Sequence, residues 1–187
     1  MVLLSRIYTR AGDQGKTSLG TGERVKKSDP RIDMIGSIDE LNAALGVAML
    51  YLEEKEAQQI AEIQNDLFDV GADLCMPLSE ETQSALRISS EHIIKLEQAI
   101  DLLNKTLEPL TSFVLPGGST ASAYIHLART ICRRVERVLC TTMDIMPHNP
   151  CVNQYINRLS DYLFVLARFL NDEGKSDVLW VPGKNLS

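Results

Sequence analysis

The sequence predicts an all-α fold, a bundle of five helices with an irregular loop at its N-terminal end. Apolar residues recur at intervals of three and four in five stretches, whereas the alternation typical of β-strands is scarce. Asp29-Pro30 and Asn149-Pro150 each place a capping residue before a proline suited to the first helical turn. With 187 residues and no visible repeat or linker, the chain is expected to form one domain with a sizeable core.

The five helical patterns divide the chain into three parts. They cover residues 29–52, 56–75, 89–103 and 119–139, and the last one begins at Asn149 and is ended by Gly174. Residues 1–28 therefore form an N-terminal loop, 29–173 the helical bundle and 174–187 a C-terminal tail. Pro77 marks residues 76–86 as a surface loop, and Trp180 is expected to dock the tail on the bundle through its apolar area.

The fourth helix, with Ser119 as its expected N-cap, carries a line of arginines. Its apolar stripe is predicted to consist of Tyr124, Leu127, Ile131, Val135 and Val138. The arginines recur every four residues, roughly opposite that stripe, at Arg129, Arg133 and Arg137. Stacked like charges repel, so the arginines either face solvent beside acids such as Glu136 or bind a polyanion, to which arginine is well suited.

Residues 5–27 combine glycines, hydroxyl groups and cations. Such a segment can bring backbone N–H groups and positive charges close to a phosphate. It departs from two common phosphate motifs, because Arg10 stands where a P-loop needs glycine and Val25 where the dinucleotide motif needs glycine or alanine. The composition leaves a phosphate-binding loop and a flexible arm as alternatives. Because no apolar anchor is evident, we expect the loop to become ordered only with a nucleotide.

Charge and composition exclude several function classes. The formal net charge of −6 argues against a general binder of nucleic acid or membrane surfaces, so the positive cluster indicates a local anion site. No apolar run is long enough for a membrane span, and no secretory signal is recognisable. The four cysteines lack metal-site spacing and are interpreted as reduced core or near-core thiols of a cytoplasmic protein.

Five segments of the chain resemble the motifs of one enzyme family. They read YTRAGDQGKTSLGTGERVKKSDPR, GSIDELNAALG, FVLPGG, ARTICRRVER and INRLSDYLF. In this order they resemble the PduO-type ATP:cob(I)alamin adenosyltransferases, over nearly the whole chain and most weakly from residue 76 to 110. The resemblance implies a cobalamin adenosyltransferase-like five-helix bundle that forms a homotrimer and binds ATP between subunits. It also implies transfer of the 5′-deoxyadenosyl group of ATP to the cobalt of cob(I)alamin, with release of triphosphate.

The resemblance further implies roles for individual residues. The expected ATP site consists of Thr9, Arg10, Ala11, Gly12, Thr17, Ser18, Lys27, Arg133, Arg134, Glu136, Arg137 and Asn157, with the last at the adenosine end. Asp39 is expected to pair with Arg129 across the subunit interface. Phe113 is expected to lie beneath the corrin ring, where it displaces the lower axial ligand of cobalt. Turnover is expected to depend most on Asp39, Arg129, Phe113 and Arg133. Mg²⁺ is expected on the ATP phosphates, with protein ligands that the resemblance does not assign.

The implied chemistry suits a chain without a catalytic triad. Cob(I)alamin is itself the nucleophile, so the protein only has to stabilise the departing triphosphate. Two other classes stay open: an ATP-sensing or cobalamin-delivery module that binds without turnover, and a structural oligomer whose arginines only form interfacial salt bridges. The implied partners are a flavoprotein reductase and an adenosylcobalamin-dependent client enzyme. Neither a nucleic acid nor a membrane is expected as a partner.

Overall fold

In a computed structural model, which describes residues 7–76, 78–79, 82, 84–143 and 146–185, the chain forms a five-helix bundle preceded by a small hairpin. The strands are β1 (Lys16–Ser18) and β2 (Arg24–Lys26), and the helices are α1 (Pro30–Met49), α2 (Glu54–Leu74), α3 (Ser90–Asn104), α4 (Thr120–Met143) and α5 (Pro150–Phe169). The predicted all-α bundle is thereby confirmed. Residues 1–6 of the expected loop, Pro77 of the surface loop and residues 186–187 of the tail lie outside the described residues. None of the helices in the described ranges combines the length and apolar character needed to cross a bilayer.

Capping side chains begin three of the helices where the sequence predicts. The Asp29 and Asn149 side chains each accept a hydrogen bond from the backbone N–H two residues later, both at 3.0 Å. The Ser119 hydroxyl oxygen accepts from the N–H of Ser122 at 3.1 Å. Because each cap satisfies a donor that the first helical turn would leave free, it fixes the start of its helix locally.

Helix α4 lies at the centre of the bundle, packed between α1 and α5. Helix α2 packs on the other side of α1, and α3 on the other side of α5. Side chains from every helix meet in one core, among them Leu41, Leu67, Leu96, Leu139 and Leu163. Burial of each such side chain stabilises the fold by about 1.5–3 kcal/mol before the entropic cost of ordering is subtracted.

The buried face of α4 differs from the predicted stripe. The apolar residues of α4 without exposed surface are Ile125, Ala128, Cys132, Val135 and Leu139. Of the five residues predicted for the stripe, only Val135 belongs to this set, and Leu127 is exposed. The small side chains of Ala128 and Cys132 let neighbouring helices pack densely against this face. The helix is therefore rotated relative to the prediction, and Arg129 lies at the edge of the core.

Part of the N-terminal loop is regular, which the sequence did not predict. Strands β1 and β2 pair antiparallel, with Thr17 opposite Val25. Leu19 and Val25 are both buried, so the segment has an apolar anchor and the expectation of a loop without one is wrong. Gly22 has a φ of +84°, which side chains of L-residues rarely adopt, and its N–H donates to the Leu19 carbonyl at 2.9 Å to close the turn.

Asp73, near the end of α2, links three segments that are distant in the chain. Its side chain has no exposed surface. One carboxylate oxygen accepts from Arg87 Nη1 at 2.6 Å, and the other accepts from the Ile88 N–H at 2.9 Å and from Asn149 Nδ2 at 2.7 Å. A buried carboxylate without such partners would destabilise the fold by several kcal/mol. This network of hydrogen bonds fixes the start of α5 against the connection between α2 and α3.

The C-terminal tail folds back onto the segment that precedes α4. Residues 178–180 pair antiparallel with residues 113–115. The Trp180 ring lies beside the Phe113 ring, with centroids 6.1 Å apart, and both rings remain partly accessible to solvent. Trp180 therefore packs against this segment at the edge of the bundle instead of covering the bundle core.

Candidate functional site

A cleft of about 920 Å³ lies between α1 and α4, below the hairpin, and is called here the α1–α4 cleft. Its cationic residues are Lys27, Arg134 and Arg137. Its walls also contain two carboxylates and several hydroxyl groups, from Asp33, Glu40, Ser28, Ser37 and Thr141. A set of converging cations and hydroxyl donors is suited to a polyphosphate.

Glu40 and Arg134 form an ion pair across the α1–α4 cleft. Both side chains are partly exposed, so the pair contributes about 1 kcal/mol or less to the stability of the fold. The neighbouring acid, Asp39, forms no ion pair within the described part of a single chain. Its expected pairing with Arg129 of another subunit therefore stays a prediction.

Arg133 and Arg137 extend the arginine line into solvent. Both are exposed, and Arg137 Nη1 donates to the backbone carbonyl of Arg133 at 3.1 Å. Among the residues described, neither side chain forms an ion pair with an acid, whereas Arg134 does. The two arginines therefore face solvent, as one interpretation of the sequence expects, but no acid of the described chain, Glu136 included, pairs with them. Both cations are left available to an anionic ligand.

Glu136 orients an amide instead of balancing an arginine. Asn157 Nδ2 donates to Glu136 Oε1 at 2.8 Å, on the face shared by α4 and α5. The Asn157 amide oxygen accepts from Arg158 Nη1 at 3.4 Å. Arg158 is itself held by Glu97, whose carboxylate accepts from Nε at 2.8 Å and raises the pKa of the guanidinium. Asn157 is thus held in a fixed orientation by neighbours on both sides.

The N-terminal loop approaches the α1–α4 cleft through Lys27. A Cβ atom at Gly12 would lie only 3.2 Å from Lys27 Nζ, so a glycine permits this close approach. The Ala11 carbonyl accepts from Arg24 Nη2 at 2.6 Å, which ties the loop to strand β2. The other predicted residues of this stretch, Thr9 and Arg10, are exposed.

Thr17 and Ser18 of strand β1 face a second cleft, of about 550 Å³, between α1 and α2. Asp39 lines the same cleft, together with the exposed ring of Phe68. The hairpin therefore contributes to two different clefts, with Lys27 on one side and Thr17 and Ser18 on the other.

Phe113 lines a third cleft, of about 700 Å³, with Arg129, Phe164 and Trp180. Phe113 is 77% exposed and so is not an ordinary core aromatic. The Arg129 guanidinium carbon lies 5.9 Å from the centre of the Phe164 ring, and its buried Nε has no hydrogen-bond partner among the described residues. Burial, and to a lesser extent the charge of Arg133, lower the pKa of Arg129. This aromatic cleft therefore contains a guanidinium that forms no ion pair with an acid of the described residues.

His126, one turn before Arg129, lies at the border between this cleft and the core. It is buried, and its Nδ1 has no hydrogen-bond partner within the ranges that the structure covers. Burial lowers the pKa of His126 below its usual value of 6.5, and the positive charge of Arg129 lowers it further. The imidazole is therefore neutral at pH 7, which avoids adding a second buried charge beside Arg129.

Residues 7–170 match the family model described as cobalamin adenosyltransferase. The chain belongs to this family. The corrinoid adenosyltransferase of Mycobacterium tuberculosis is 46% identical over 187 residues, which cover 97% of this chain and 96% of that protein. The corrinoid adenosyltransferase of Bos taurus is 39% identical over 170 residues, which cover 88% of this chain and 70% of that protein.

A solved structure of a phenylalanine-to-alanine variant of a PduO-type ATP:corrinoid adenosyltransferase from Lactobacillus reuteri, complexed with cobalamin and ATP, has the same fold. Its TM-score is 0.88 at 34% identity, and the match covers 94% of this chain and 99% of that chain. An arginine-to-lysine variant of the Lactobacillus reuteri enzyme, complexed with ATP, matches with a TM-score of 0.87 at 35% identity. The family that the sequence motifs predict is therefore confirmed.

This member of the cobalamin adenosyltransferase family does not gather its expected site residues in one cleft of one chain. Lys27, Arg134 and Arg137 meet in the α1–α4 cleft, whereas Glu136 and Asn157 lie on the face shared by α4 and α5. Phe113 and Arg129 share the aromatic cleft, and Asp39 lines the cleft beside α2. The expected residues thus occupy several separate surfaces of the chain.

Sequence reasoning missed two residues of the aromatic cleft, namely Phe164 and Trp180. Trp180 reaches Phe113 only because the tail pairs with residues 113–115, a long-range contact without a sequence signature.

Proposed function

We propose that the chain transfers the 5′-deoxyadenosyl group of ATP to the cobalt of cob(I)alamin, which yields adenosylcobalamin and triphosphate. The observation that carries the proposal is the arginine line, where Arg133 and Arg137 keep their charges without acidic partners in the described chain, beside a cleft that Arg137 lines. Membership of the cobalamin adenosyltransferase family supports it.

The α1–α4 cleft is proposed to receive the phosphates of ATP. Lys27, Arg134 and Arg137 supply positive charge there, and Gly12 of the N-terminal loop lies next to Lys27. Glu40 keeps Arg134 oriented before the nucleotide arrives, so less side-chain freedom is lost on binding. Cations that are already in position stabilise the negative charge that develops on the departing triphosphate.

The oxygen donors of this cleft also fit an Mg²⁺ ion on the phosphates. Mg²⁺ keeps several water ligands and accepts one or two carboxylates beside the phosphate oxygens. Asp33 offers such a carboxylate, and Ser28 and Ser37 offer hydroxyl groups in the same cleft. When bound, the ion would supply additional charge neutralisation for the triphosphate.

The separation of the expected ATP residues supports a site shared between subunits. Arg137 lines the α1–α4 cleft, whereas Asn157 lies on α5, where it donates to Glu136 of α4. One nucleotide can contact both sets if the α4–α5 face of one subunit lies against the hairpin and α1 of the next. We therefore propose a homotrimer with ATP bound at each interface and Asn157 at the adenosine end.

The aromatic cleft is proposed to receive the lower face of the corrin ring. Phe113 presents an exposed ring there, and Trp180 and Phe164 extend the apolar surface. An apolar wall leaves no ligand for cobalt from below, which makes cobalt(II) easier to reduce. The unpaired Nε of Arg129 at this cleft supports its proposed pairing with Asp39 of a neighbouring subunit.

In the proposed reaction the substrate is the nucleophile. The electron pair of cobalt(I) attacks the C5′ atom of ATP, and the electrons of the C5′–O bond leave with triphosphate. The protein therefore needs no nucleophile of its own, and burial raises the pKa of the Cys132 thiol, which keeps it protonated. The task left to this chain is to orient the two substrates and to stabilise the leaving group.

One assay separates this function from its alternatives. The purified chain is incubated with ATP, MgCl₂ and chemically reduced cobalamin, and the spectrum of adenosylcobalamin is followed over time. Its appearance with release of triphosphate supports the enzyme. Bound ATP without that spectrum would favour a sensing or delivery module, and no ATP binding would favour a structural oligomer.

Two partners and a compartment complete the proposal. A flavoprotein reductase would supply the reduced corrinoid, and an adenosylcobalamin-dependent enzyme would receive the product. A cytoplasmic location fits the cysteines, because those described are all free thiols, including the exposed Cys140. Exposure of Cys140 also means that this thiol is not a core residue.

A further inference from the structure

Three side chains that commonly bind metals meet where α2 faces the beginning of α3. Asp66 and Asp69 lie one turn apart on α2, and His92 lies in the first turn of α3. Each offers one ligand atom, and these atoms all lie within 4.8 Å of one another. The three residues are half-buried, and none of them lines the clefts assigned above to ATP or the corrinoid.

Two further contacts hold this cluster in place. The hydroxyl of Tyr155, on α5, donates to Asp66 Oδ2 at 2.9 Å. Tyr155 has no exposed surface, so the hydrogen bond is anchored in the core of the bundle. The His92 ring also packs edge-on against the Tyr155 ring, with centroids 6.5 Å apart and planes at 80°. One buried residue thus orients both a carboxylate and the imidazole.

The other side of the imidazole is held by Ser89. The Ser89 backbone N–H donates to His92 Nδ1 at 3.2 Å, and the Ser89 hydroxyl oxygen lies 3.0 Å from the same ring nitrogen. These two contacts fix the orientation of the ring. A neutral imidazole that ligates a metal through Nε2 carries its proton on Nδ1, so on ligation the Ser89 hydroxyl, which can accept, replaces the backbone N–H as the partner of Nδ1. Ligating histidines are usually oriented by a hydrogen bond from the second ring nitrogen.

The charge of the cluster also calls for a cation. Two carboxylates offer oxygens within 4.8 Å of each other, and within the described ranges neither forms an ion pair with lysine or arginine. The hydrogen bond from Tyr155 is neutral and removes only part of the repulsion. A bound divalent cation would neutralise both charges and would connect α2 to α3.

The geometry points to a Zn²⁺ site formed by Asp66, Asp69 and His92, with Tyr155 and Ser89 as supporting hydrogen-bond partners. One imidazole and two carboxylates match the ligands that zinc takes, and water completes a four-coordinate site with three protein ligands. Hard cations such as Mg²⁺ and Ca²⁺ prefer oxygen ligands alone, so they are expected to bind here more weakly. The inference does not depend on the proposed transferase activity, because it concerns other residues and another ion.

The test uses the full chain, stripped of metal with a chelator and titrated with ZnCl₂ alone in a calorimeter. The wild type is expected to bind one Zn²⁺ per chain at this site and to unfold at a higher temperature with Zn²⁺ than without. Asp69→Asn keeps the shape of the side chain and is expected to weaken binding by more than about 100-fold, since loss of a supporting partner alone costs about 10–100-fold. Asp101→Asn, an exposed acid on α3, is the matched control and should bind as the wild type does.

A second pair of measurements excludes binding elsewhere. Tyr155→Phe removes only the hydroxyl that supports Asp66 and is expected to weaken Zn²⁺ binding about 10–100-fold. Co²⁺ used as a probe should show a spectrum without the strong charge-transfer band of cysteine ligation. Zn²⁺ binding that Asp69→Asn leaves unchanged, displacement by an equal concentration of Mg²⁺, or a thiolate band with Co²⁺ would each overturn the assignment.

Discussion

The backbone N–H of Trp180 donates to the carbonyl oxygen of Phe113 at 2.7 Å, and Ser112 Oγ donates to the Trp180 carbonyl at the same distance. The tail therefore fixes the backbone of Phe113, while the phenylalanine ring stays exposed in the aromatic cleft. Because the backbone of Phe113 is fixed by hydrogen bonds and its ring is exposed, the ring is available to a ligand and contributes little to the core.

Phe113→Ala is expected to impair corrinoid handling and to leave ATP binding near that of the wild type. Because the ring is 77% exposed, the free energy of unfolding should change by less than about 1 kcal/mol, instead of the roughly 3–5 kcal/mol of a core truncation. The cobalt(II) spectrum with bound MgATP should lose its four-coordinate signal, whereas Phe113→Leu should keep part of it. A large loss of stability with an unchanged four-coordinate signal would contradict the corrinoid role.

Arg133→Ala is expected to lower turnover by about 10²–10³-fold, the usual effect of removing one positioned donor to a developing charge. Arg133 is exposed and its side chain packs outside the core, so assembly and the unfolding temperature should be unchanged. Steady-state kinetics with reduced cobalamin measure the effect, and Lys55→Ala, an exposed cation on α2, serves as control. Turnover within about threefold of the wild type would remove Arg133 from the site.

Asp39→Asn is expected to weaken assembly or corrinoid turnover more than ATP binding. The substitution would leave the half-buried Arg129 without its partner at the interface, at a cost of about 1–3 kcal/mol, less than for a fully buried pair. Sedimentation and ATP titration measure the two effects separately. In a double-mutant cycle with Arg129→Ala the two losses should not add, and strict additivity would show that the residues do not interact.

The N-terminal segment is expected to become resistant to protease when MgATP binds. The hairpin is anchored by Leu19 and Val25, whereas Thr9 and Arg10 are exposed and only the Ala11 carbonyl ties this stretch to β2. With ATP at 100 times its Kd, trypsin cleavage after Arg10 should slow by up to about 100-fold if cleavage requires the unbound form. Equal cleavage rates with and without MgATP would argue that residues 9–12 do not contact the nucleotide.

The stability of the chain is expected to depend on pH through His126. Burial lowers the pKa of His126 below the 6.5 of an unfolded chain, so the unfolded state binds more protons below that pH. The free energy of unfolding should therefore be largest above pH 6.5 and fall as the pH drops below it, by at most about 1.4 kcal/mol per pH unit from this group. Denaturant titrations across this range should show a shallower slope for His126→Gln than for the wild type. An unchanged slope for His126→Gln would show that its imidazole is not held neutral by burial.

Local signals in the sequence were sufficient to place the starts of three helices, whereas α2 begins at Glu54, two residues before the predicted position. Asp29, Ser119 and Asn149 cap helices within the first turn, and such contacts depend on only a few neighbouring residues. The rotation of α4 was not predictable in the same way. Ala128 and Cys132 are small and only weakly apolar, so they add little to a pattern of apolar residues in the sequence. Tertiary packing nevertheless buries both completely.

The candidate site shows the same division between local and long-range information. The spacing of Arg133 and Arg137 on one helix is visible in the sequence, and the resemblance to the family's arginine motif adds Arg134. The hairpin could not be predicted, because strands of three residues are too short to show an alternating pattern of apolar and polar residues. The contact of Trp180 with Phe113 could not be predicted, because it joins residues that are far apart in the chain.

The hydrogen-bond network around Asp73 has a consequence for how this chain can diverge. Arg87 and Asn149 belong to separate stretches of the chain, yet both donate to the one buried carboxylate of Asp73. A change at Asp73 alone removes an acceptor that the guanidinium and the amide share, whereas exchanging the three together for apolar residues of similar volume can be nearly neutral. Homologous chains should therefore vary at these positions jointly, so that substitutions tolerated in one sequence background are harmful in another.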